Sequence, residues 1–513
     1  MKTKIYLQTY LQAYLLWGFV ASLSLFSSCE FLDEKPKTFI TEQNFFKTEA
    51  DAESALNVVY RGPQDRYGVA LWGGAHWFEW ATDECYLTTA NSHAYHNEPS
   101  YLKTNFNASS AMPEGFWSHT FNHVKDVNFY LQQVNNVPMS DPKKDIGKAQ
   151  ARAIRALLYF DAVQIFGDLP LILTPETESK VLNAMSRTNK VDVYKSIETD
   201  LLYAMSILPN LWTGNDQGRI SKGAAAGLLA KVYITWAGHP IKDETKYDEG
   251  RKLLENLIDK QEYGSQYALF SSYEEAFLEA NIPGKESVWT INFTKGTFGQ
   301  GSDMHTNNAP LELYYASGMG LTRGGGWSNG LPTEGFYNSY EANDDRFTFS
   351  WWTSTADIPS EYADVSPAIS FSAPHCKKFR EPTPNNNSLR NGIDHYVLRY
   401  ADLLLLYAEV LNELGQDSKY DYINMVRNRA GLPGLSAMSQ EQFREHMYNE
   451  RAWELAFEGN RRFDLMRWGN YVERLKMWNT QAGPNAIKGK HELWPIPQRE
   501  IDINSNLSQN EAY

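Results

Sequence analysis

The strongest constraint on the fold is helical periodicity near both ends of the chain, separated by a long stretch that lacks it. Residues 148–166 place apolar side chains at three- to four-residue spacing, and the run stops at Gly167. Such spacing followed by glycine is typical of an amphipathic helix and its C-terminal end. Similar runs cover residues 191–208, 221–237, 396–414, 421–429 and 440–458. The sequence therefore predicts a mainly α protein.

The helical runs follow one another through short turns, which is typical of stacked helix pairs of the tetratricopeptide kind. We expect them to form a scaffold over residues about 118–260 and 392–480. Between these blocks, residues 262–391 are rich in glycine and proline and contain short β-type runs such as 287–293. A long irregular segment within a compact protein usually carries function. We therefore expect ligand-binding residues there.

The N-terminus indicates export. Lys2 and Lys4 precede an uncharged apolar run at residues 13–26, which is shorter than the roughly 20 residues of a membrane span. Small residues before Cys29 resemble a bacterial lipoprotein cleavage site, so we expect residues 1–28 to be removed and Cys29 to be lipidated. The alternative is an ordinary signal peptide with an incidental cysteine. Residues 29–45 would form a linker and 46–513 a single domain.

The remaining cysteines and the charge narrow the function further. Cys85 and Cys376 either pair or remain buried thiols, and their spacing does not decide between these states. The chain has 48 Lys and Arg against 62 Asp and Glu, a net charge of −14. Loss of Lys2 and Lys4 with the signal would change −14 to −16. An acidic chain is a poor partner for nucleic acid and suits neutral or cationic ligands better.

Motifs for catalysis, metals and cofactors are weak. Residues 326–330 read Gly-Trp-Ser-Asn-Gly, which matches the G-x-S-x-G nucleophile elbow, but the flanking glycines and proline predict a loop instead of a strand-turn-helix. The pairs His93/His96 and His119/His123 have metal-like spacing without a neighbouring ligand motif. We therefore predict no catalytic residue, no metal and no cofactor.

A row of three glutamates stands out in the last helical run. Glu450, Glu454 and Glu458 are spaced four residues apart, so on one helix they share a face and repel each other unless cations neutralise them. The nearby cations are expected to do so and to keep the carboxylates ionised, which disfavours a glycosidase pair that needs a proton donor. These cations are Arg451, Arg461, Arg462 and Arg467.

Residues 449–469, NERAWELAFEGNRRFDLMRWG, closely resemble the signature of SusD-like (RagB/SusD) surface lipoproteins. Residues 153–172, 396–415 and 493–498 also resemble blocks of that family. Asn460 stands where the family usually has histidine, and the tail lacks the usual Pro-Gly before Tyr513. Together with the lipoprotein start, the resemblance covers essentially the whole chain.

This resemblance implies a non-enzymatic protein that its lipid anchors in the outer membrane and that faces the cell exterior. It would capture a glycan and deliver it to a SusC-type TonB-dependent transporter. The alternatives are an oligopeptide-binding lid of such a transporter, a surface hydrolase, or a structural adaptor whose aromatic residues are all core.

Aromatic residues make up 14% of the chain, and rings in loops are the candidates for stacking on sugars. The resemblance places such rings in two zones, while Trp77 and Trp80 resemble core positions. The predicted glycan-binding residues are Tyr86, Asn91 and Tyr95 in the first zone and Tyr314, Tyr315, Arg323 and Trp327 in the second. Trp351 and Trp352 also fall in the second zone, and Trp327 could instead pack beneath its loop.

Overall fold

Helices predominate on both sides of the irregular segment in the described part of the chain, as the periodicity predicts. The computed structural model describes residues 46–68, 78, 81–88, 106–176, 178–263, 267–294, 301–316, 326–354, 356, 370–380 and 391–513, without the side chains of 179 and 314–316. The first helices are α1 (Glu49–Tyr67), α2 (Ala111–Gln133), α3 (Asp141–Phe166), α4 (Ser179–Leu182), α5 (Lys190–Ile207), α6 (Lys222–Ala237) and α7 (Thr245–Leu254). Short helices follow: α8 (Met304–Asn308), α9 (Leu311–Ala316), α10 (Glu334–Tyr337) and α11 (Asp345–Ser350).

The C-terminal block completes the scaffold. It contains α12 (Tyr400–Glu413), α13 (Lys419–Arg429), α14 (Gln440–Glu454), α15 (Arg461–Trp468), α16 (Tyr471–Trp478) and α17 (Gln498–Ile503). In the series α2, α3, α5, α6 and α7, each helix packs on the next, and α12 packs on α7, α13 and α14. The fold is therefore the helix-rich scaffold with small sheets that the sequence predicts.

Local signals set several helix ends where the sequence places them. The side chain of Ser439 accepts the amide of Gln442, and the Gln442 side chain accepts the amide of Ser439, so the predicted capping box begins α14. Gly167 ends α3 with a positive φ of 71°, a conformation that glycine adopts without steric cost.

Two predicted helices are shorter than expected. The run at 396–414 begins as a strand, because His395–Arg399 pairs with Ser287–Ile291 and the helix starts only at Tyr400. The run at 440–458 ends at Glu454, and Phe457 has a positive φ of 62°. Glu458 therefore leaves the face that Glu450 and Glu454 share.

The strands in the described part of the irregular segment form small antiparallel ladders, two of them with strands from outside the segment. The strands are β1 (Cys85–Leu87), β2 (Ser287–Ile291), β3 (Gly330–Pro332), β4 (Trp351–Ser354), β5 (Ser370–Cys376) and β6 (His395–Arg399). They pair as β1 with β3, β2 with β6, and β4 with β5. Since isolated two-stranded pairs are marginally stable in water, further contacts must hold this segment on the scaffold.

A buried ionic network supplies those contacts. Glu454 accepts from Arg399 at 2.6 Å and from Arg429, and its second oxygen lies 3.4 Å from Arg346. Arg346 also binds Glu450 at 2.7 Å. The remaining contacts join Arg427 to Glu450, Lys378 and Arg399 to Glu458, Arg399 and Arg429 to Glu286, and Arg346 to Asp344. The network thus links residues 286, 344, 346 and 378 of the irregular segment to the scaffold.

The cations in this network are not the predicted ones. Arg451 and Arg467 bind Asp464 at 2.8 Å each, Arg461 binds Asp83, and Arg462 donates to the backbone carbonyls of residues 491 and 492. The expectation that the glutamates require neutralising cations is confirmed, but the assignment of these four arginines was wrong. The true partners come from distant parts of the chain, which helical spacing does not reveal.

The paired cations keep the network ionised. Burial opposes the charge of Glu450, yet Arg346, His446 and Arg427 lower the pKa of this carboxyl to about 2. Burial likewise opposes the charge of Glu454, while Arg429, Arg399 and Arg346 hold its pKa below the usual range. Both side chains are fully buried, so loss of a partner would leave an uncompensated charge in the interior.

The structure also bears on the two cysteines, on membrane-spanning helices and on the compactness of the chain. Cys85 and Cys376 are both buried, and they do not form a disulfide. Among the described residues, no helix combines the length and apolar character needed to cross a bilayer. Residues 48–513 form one compact unit by backbone contacts.

We predict that Glu454→Gln lowers the free energy of unfolding by about 3–5 kcal/mol, because it leaves buried guanidinium groups incompletely neutralised. Glu441→Gln is the matched control, since the Glu441 side chain is 69% exposed in its pair with Arg444. The control should change stability by less than about 0.5 kcal/mol. Urea-induced unfolding measures both, and equal effects of the two substitutions would contradict the role of the network.

Candidate functional site

Tyr86 lies on a two-stranded ribbon that leads directly to Trp327. In the ribbon, β1 pairs with β3 so that Tyr86 is opposite Leu331. Beyond β1, the amide of Thr88 donates to the carbonyl of Asn329 at 2.8 Å, and the Thr88 hydroxyl donates to the carbonyl of Ser328 at 2.6 Å. The structure therefore brings Tyr86 of the first predicted zone close to the loop of Trp327 in the second, although the two are far apart in sequence.

Trp327 belongs to a loop, residues 326–329, that we call the tryptophan loop. Its four amides donate in turn to carbonyls of residues 310, 306, 309 and 307, at 3.1, 2.8, 3.0 and 2.8 Å. The side-chain amide of Asn329 also donates to that of Asn307 at 2.7 Å. This hydrogen bonding fixes the loop on α8 and the turn that follows it. Trp327 is half-buried, so packing and ligand contact are both open to its ring.

The other predicted binding residues are described less fully. Tyr314 and Tyr315 fall in α9, which directly follows the segment beneath the tryptophan loop. Tyr86 is half-buried, and burial raises the pKa of its hydroxyl, which stays protonated and able to donate. Asn91, Tyr95 and Arg323 lie outside the described residues, as do Trp77 and Trp80.

The C-terminal signature holds the ribbon in place. Arg461 donates to both oxygens of Asp83, at 2.7 and 2.6 Å, and Arg474 adds a contact at 3.2 Å. Burial opposes the charge of Asp83, but Arg461 keeps its pKa lowered. Asn479 donates to the carbonyls of Thr82 and Cys85, at 2.8 and 3.1 Å. The residues just before Tyr86 are thus held by α15 and the end of α16.

Trp351 and Trp352 do not belong to the candidate surface. Both lie on β4, where Trp351 is 4% and Trp352 is 1% exposed. Trp351 packs edge-on to Phe336 and Phe457, with ring centroids 6.1 and 5.6 Å apart. Their placement in the second binding zone was wrong, because sequence position in an irregular segment does not distinguish a buried strand from an exposed loop.

The G-x-S-x-G match occurs in a loop, as predicted, yet its serine has a histidine partner. Ser328 Oγ lies 2.7 Å from His375 Nε2 and accepts the amide of Leu311 at 2.7 Å. Ser328 is 5% exposed and His375 is fully buried, so a substrate has no path to the hydroxyl in this conformation. The tryptophan loop leads into β3 and not into a helix, unlike a nucleophile elbow.

The glutamates of α14 offer no glycosidase site either. Glycosidases place two carboxyl groups across a cleft, one of them protonated at working pH. Glu450 and Glu454 are fully buried, and their arginine partners lower both pKa values. These carboxylates therefore serve the fold.

One cluster has the composition of a metal site. Single ligand atoms of Glu341, His446 and Glu450 lie within 4.8 Å of one another. Arg427 Nη1, however, is 2.9, 3.0 and 2.8 Å from Glu341, His446 and Glu450 respectively. The guanidinium already occupies the position that a cation would take, so these residues do not require a metal.

The helical histidine pair belongs to the scaffold. His119 and His123 stack edge-on with ring centroids 4.6 Å apart. His123 also faces the carboxylates of Asp65 and Asp126, at 3.4 and 3.6 Å. Burial opposes its charge, but these two acids raise the pKa of His123. The ring therefore acts in an ion-pair cluster between α1 and α2.

The structure adds residues that the sequence reasoning missed. Thr88, Asn307 and Asn329 orient the tryptophan loop, and His375 contacts Ser328 from β5. Thr88, Asn307 and His375 stand in no motif, Asn329 occupies a variable position of the G-x-S-x-G match, and each partner is distant in sequence. Only the Ser328 motif carried a signal, and it indicated a different chemistry.

Two models of known protein families match this chain. A family model described as "SusD family" matches residues 285–513, and another described as "Starch-binding associating with outer membrane" matches residues 30–234. The chain belongs to the SusD family. The resemblance of residues 449–469 to the SusD signature is thereby confirmed.

Individual SusD relatives align over nearly the whole chain. SusD-like protein P2 of Formosa agariphila is 26% identical over 528 residues, covering 96% of this chain and 98% of that protein. A SusD homolog from Bacteroides thetaiotaomicron has a crystal structure that matches with a TM-score of 0.80 at 26% identity, covering 92% and 99% of the two chains. A laminarin-binding SusD-like protein matches with a TM-score of 0.76 at 25% identity, covering 91% and 100%.

We predict that Asp83→Asn loosens the ribbon, because the substitution removes the charge that Arg461 and Arg474 neutralise. Hydrogen exchange should become faster in a peptide covering residues 81–88 than in α3 of the same protein. Asp248→Asn is the control, because Asp248 pairs with Arg251 on an exposed face of α7. Unchanged exchange at 81–88 would show that Arg461 does not hold the ribbon.

Proposed function

We propose that this protein is a cell-surface glycan-binding lipoprotein that delivers oligosaccharide or polysaccharide to a SusC-type TonB-dependent transporter of the outer membrane. The observation that carries the glycan-binding part is the junction of the Tyr86 ribbon with the tryptophan loop, next to α9. Membership of the SusD family supports the same role.

The chemistry of this junction suits a sugar. Carbohydrates present C–H faces that stack on aromatic rings and hydroxyl groups that bind polar side chains. Tyr86 and Trp327 are half-buried, so each ring can be held firmly on one side and offer its other side to a ligand. Tyr314 and Tyr315 of α9, with Asn91, Tyr95 and Arg323, would complete the surface.

Two of the matches to this chain are described by the glycan that is bound. The laminarin-binding relative aligns over 91% of this chain, and the family model for residues 30–234 is described as starch-binding. We therefore propose a neutral glucan as the first ligand class to test. The net charge, −16 after signal removal from the −14 of the full chain, also favours a neutral ligand over an anionic one.

The protein would act by binding and not by catalysis. Ser328 is buried and is therefore not an accessible nucleophile. The glutamates of α14 are ionised and therefore cannot donate a proton. The mature chain would begin at a lipidated Cys29, followed by a linker over 29–45 and a single domain over 46–513. The lipid would hold the protein at the outer face of the outer membrane, where its transporter partner lies.

We predict that Trp327→Ala weakens binding of the preferred glycan about 10- to 100-fold, equivalent to about 1.4–2.8 kcal/mol, with little change in melting temperature. Affinity electrophoresis against laminarin, soluble starch and other polysaccharides selects the ligand, and calorimetric titration measures its affinity. Trp212→Ala is the control, since Trp212 is a half-buried tryptophan between α5 and α6.

The same panel separates the alternatives. Binding to an oligopeptide mixture and to no glycan would favour the peptide-binding lid. Release of sugar by the purified protein would favour a hydrolase. A large loss of stability in Trp327→Ala without a specific loss of affinity would assign this ring to the core.

A further prediction concerns the membrane anchor. Cys29→Ala removes the thiol that would carry the lipid, so the protein should move from the membrane fraction to the soluble fraction after cell disruption. Cys85→Ala, which changes a buried thiol, should remain membrane-bound. Continued membrane attachment of Cys29→Ala would exclude this residue as the anchor.

A further inference from the structure

The buried Ser328–His375 pair connects three separate parts of the chain. Ser328 lies in the tryptophan loop, His375 lies on β5, and the Leu311 amide that donates to Ser328 Oγ begins α9. The two heavy-atom distances at Oγ are both 2.7 Å. The hydroxyl is therefore a junction between the loop, the helix and the strand.

Ser328 Oγ accepts one hydrogen bond at this junction, and the direction of the other follows from the tautomer of His375. Because Oγ accepts the Leu311 amide, its own proton is free to be donated to His375 Nε2. A neutral imidazole accepts at Nε2 when its proton is on Nδ1. Burial lowers the pKa of His375 to about 4, although Glu312 opposes this shift, so the ring is neutral at neutral pH.

A second contact joins β5 to α9. Glu312 accepts both the amide and the hydroxyl of Ser372, at 2.8 and 2.7 Å. Burial opposes the charge of Glu312, while these two hydrogen bonds lower its pKa. Glu312 thus binds β5 instead of orienting His375, which separates this cluster from a serine-histidine-acid triad.

The backbone conformation of Ser328 also depends on these hydrogen bonds. Its φ is +50°, in the left-handed region that serine and other residues with a Cβ adopt at a steric cost. Its side-chain bonds to Leu311 and His375, together with the backbone bonds of the tryptophan loop, hold this conformation. Since Trp327 precedes Ser328 directly, the same bonds fix the backbone from which the tryptophan side chain leaves.

We propose that the buried Ser328–His375 pair and the more exposed Glu312–Ser372 contact together form a latch that positions Trp327 relative to α9, which carries Tyr314 and Tyr315. Ser328 and His375 are buried, so they would act on a ligand through the position of Trp327 relative to α9. The effect of the latch on affinity rests on the proposed glycan-binding function. Its effect on Trp327 does not depend on any ligand.

A matched pair of substitutions at His375 tests the latch. Glutamine can place an amide group near the position of Nε2, whereas the shorter asparagine reaches only the position of Nδ1. His375→Gln should therefore retain the bond to Ser328, and His375→Asn should lose it. Ser328→Gly provides an independent loss of the bond, because glycine removes the hydroxyl and accepts the positive φ.

The first measurement uses no ligand. In protein labelled with 5-fluorotryptophan, the ¹⁹F signal of Trp327 is assigned by its loss in Trp327→Phe. We expect this signal to shift or broaden in Ser328→Gly and His375→Asn and to stay near its wild-type position in His375→Gln. The signal of Trp212 serves as the internal reference.

The second measurement is affinity for the glycan selected by the polysaccharide panel. We expect a loss of about fivefold or more in Ser328→Gly and His375→Asn, with His375→Gln within about twofold of wild type. If wild type binds no glycan, the proposed function fails while the ¹⁹F result still decides the latch.

Three outcomes would overturn the latch. One is an unchanged Trp327 signal in both Ser328→Gly and His375→Asn. Another is equal disturbance by glutamine and asparagine at 375, which would indicate general core packing. The third is hydrolysis of p-nitrophenyl acetate that disappears in Ser328→Gly, since Ser328 would then be a nucleophile.

Discussion

The ion pairs around Glu454 are the contacts on which the rest of the molecule depends. Among the described residues, the ladders that join the irregular segment to the rest of the chain are two-stranded, and such ladders are marginally stable in water when isolated. Arg346 from α11 and Arg399 from β6 instead meet Glu454 at the end of α14, where all three side chains are almost fully buried. Because desolvation makes an unpaired charge so costly there, the segment is stable in one arrangement in which every charge has its partner.

The signature that identifies the SusD family therefore has a structural role with a functional consequence. Glu450 and Glu454 fix the irregular segment, while Arg461, a few residues later, fixes Asp83. Asp83 immediately precedes the strand that presents Tyr86, and that strand leads to the tryptophan loop. A buried motif in the C-terminal helices thus controls the geometry of a surface formed by loops elsewhere in the sequence.

The helices could be predicted because local spacing and capping determine them, as at Ser439 and Gln442. The charge partners could not, because residue spacing along one helix contains no information about Arg346 or Arg399, which arrive from other elements. The family resemblance predicts binding residues in two zones, and it does not predict the junction of Tyr86 with the tryptophan loop, which depends on strand register and on Thr88. Periodicity also failed where a strand or a positive φ interrupts a helical pattern, as before Tyr400 and at Phe457.

The buried ionic network and the tryptophan loop are separate parts of the molecule, and this separation explains how such a fold can accommodate different ligands. The buried charges are satisfied among themselves, so a substitution in the tryptophan loop leaves Glu454 and its partners unchanged. Trp351 and Trp327 illustrate the division, since the first packs against Phe457 in the interior and the second lies half-buried in the loop. Ser328 lies between these two environments, because its own side chain is buried and the ring of the preceding Trp327 is half-buried. Substitutions of Trp327 are therefore expected to act on a ligand directly, whereas substitutions of Ser328 would act through the position of Trp327.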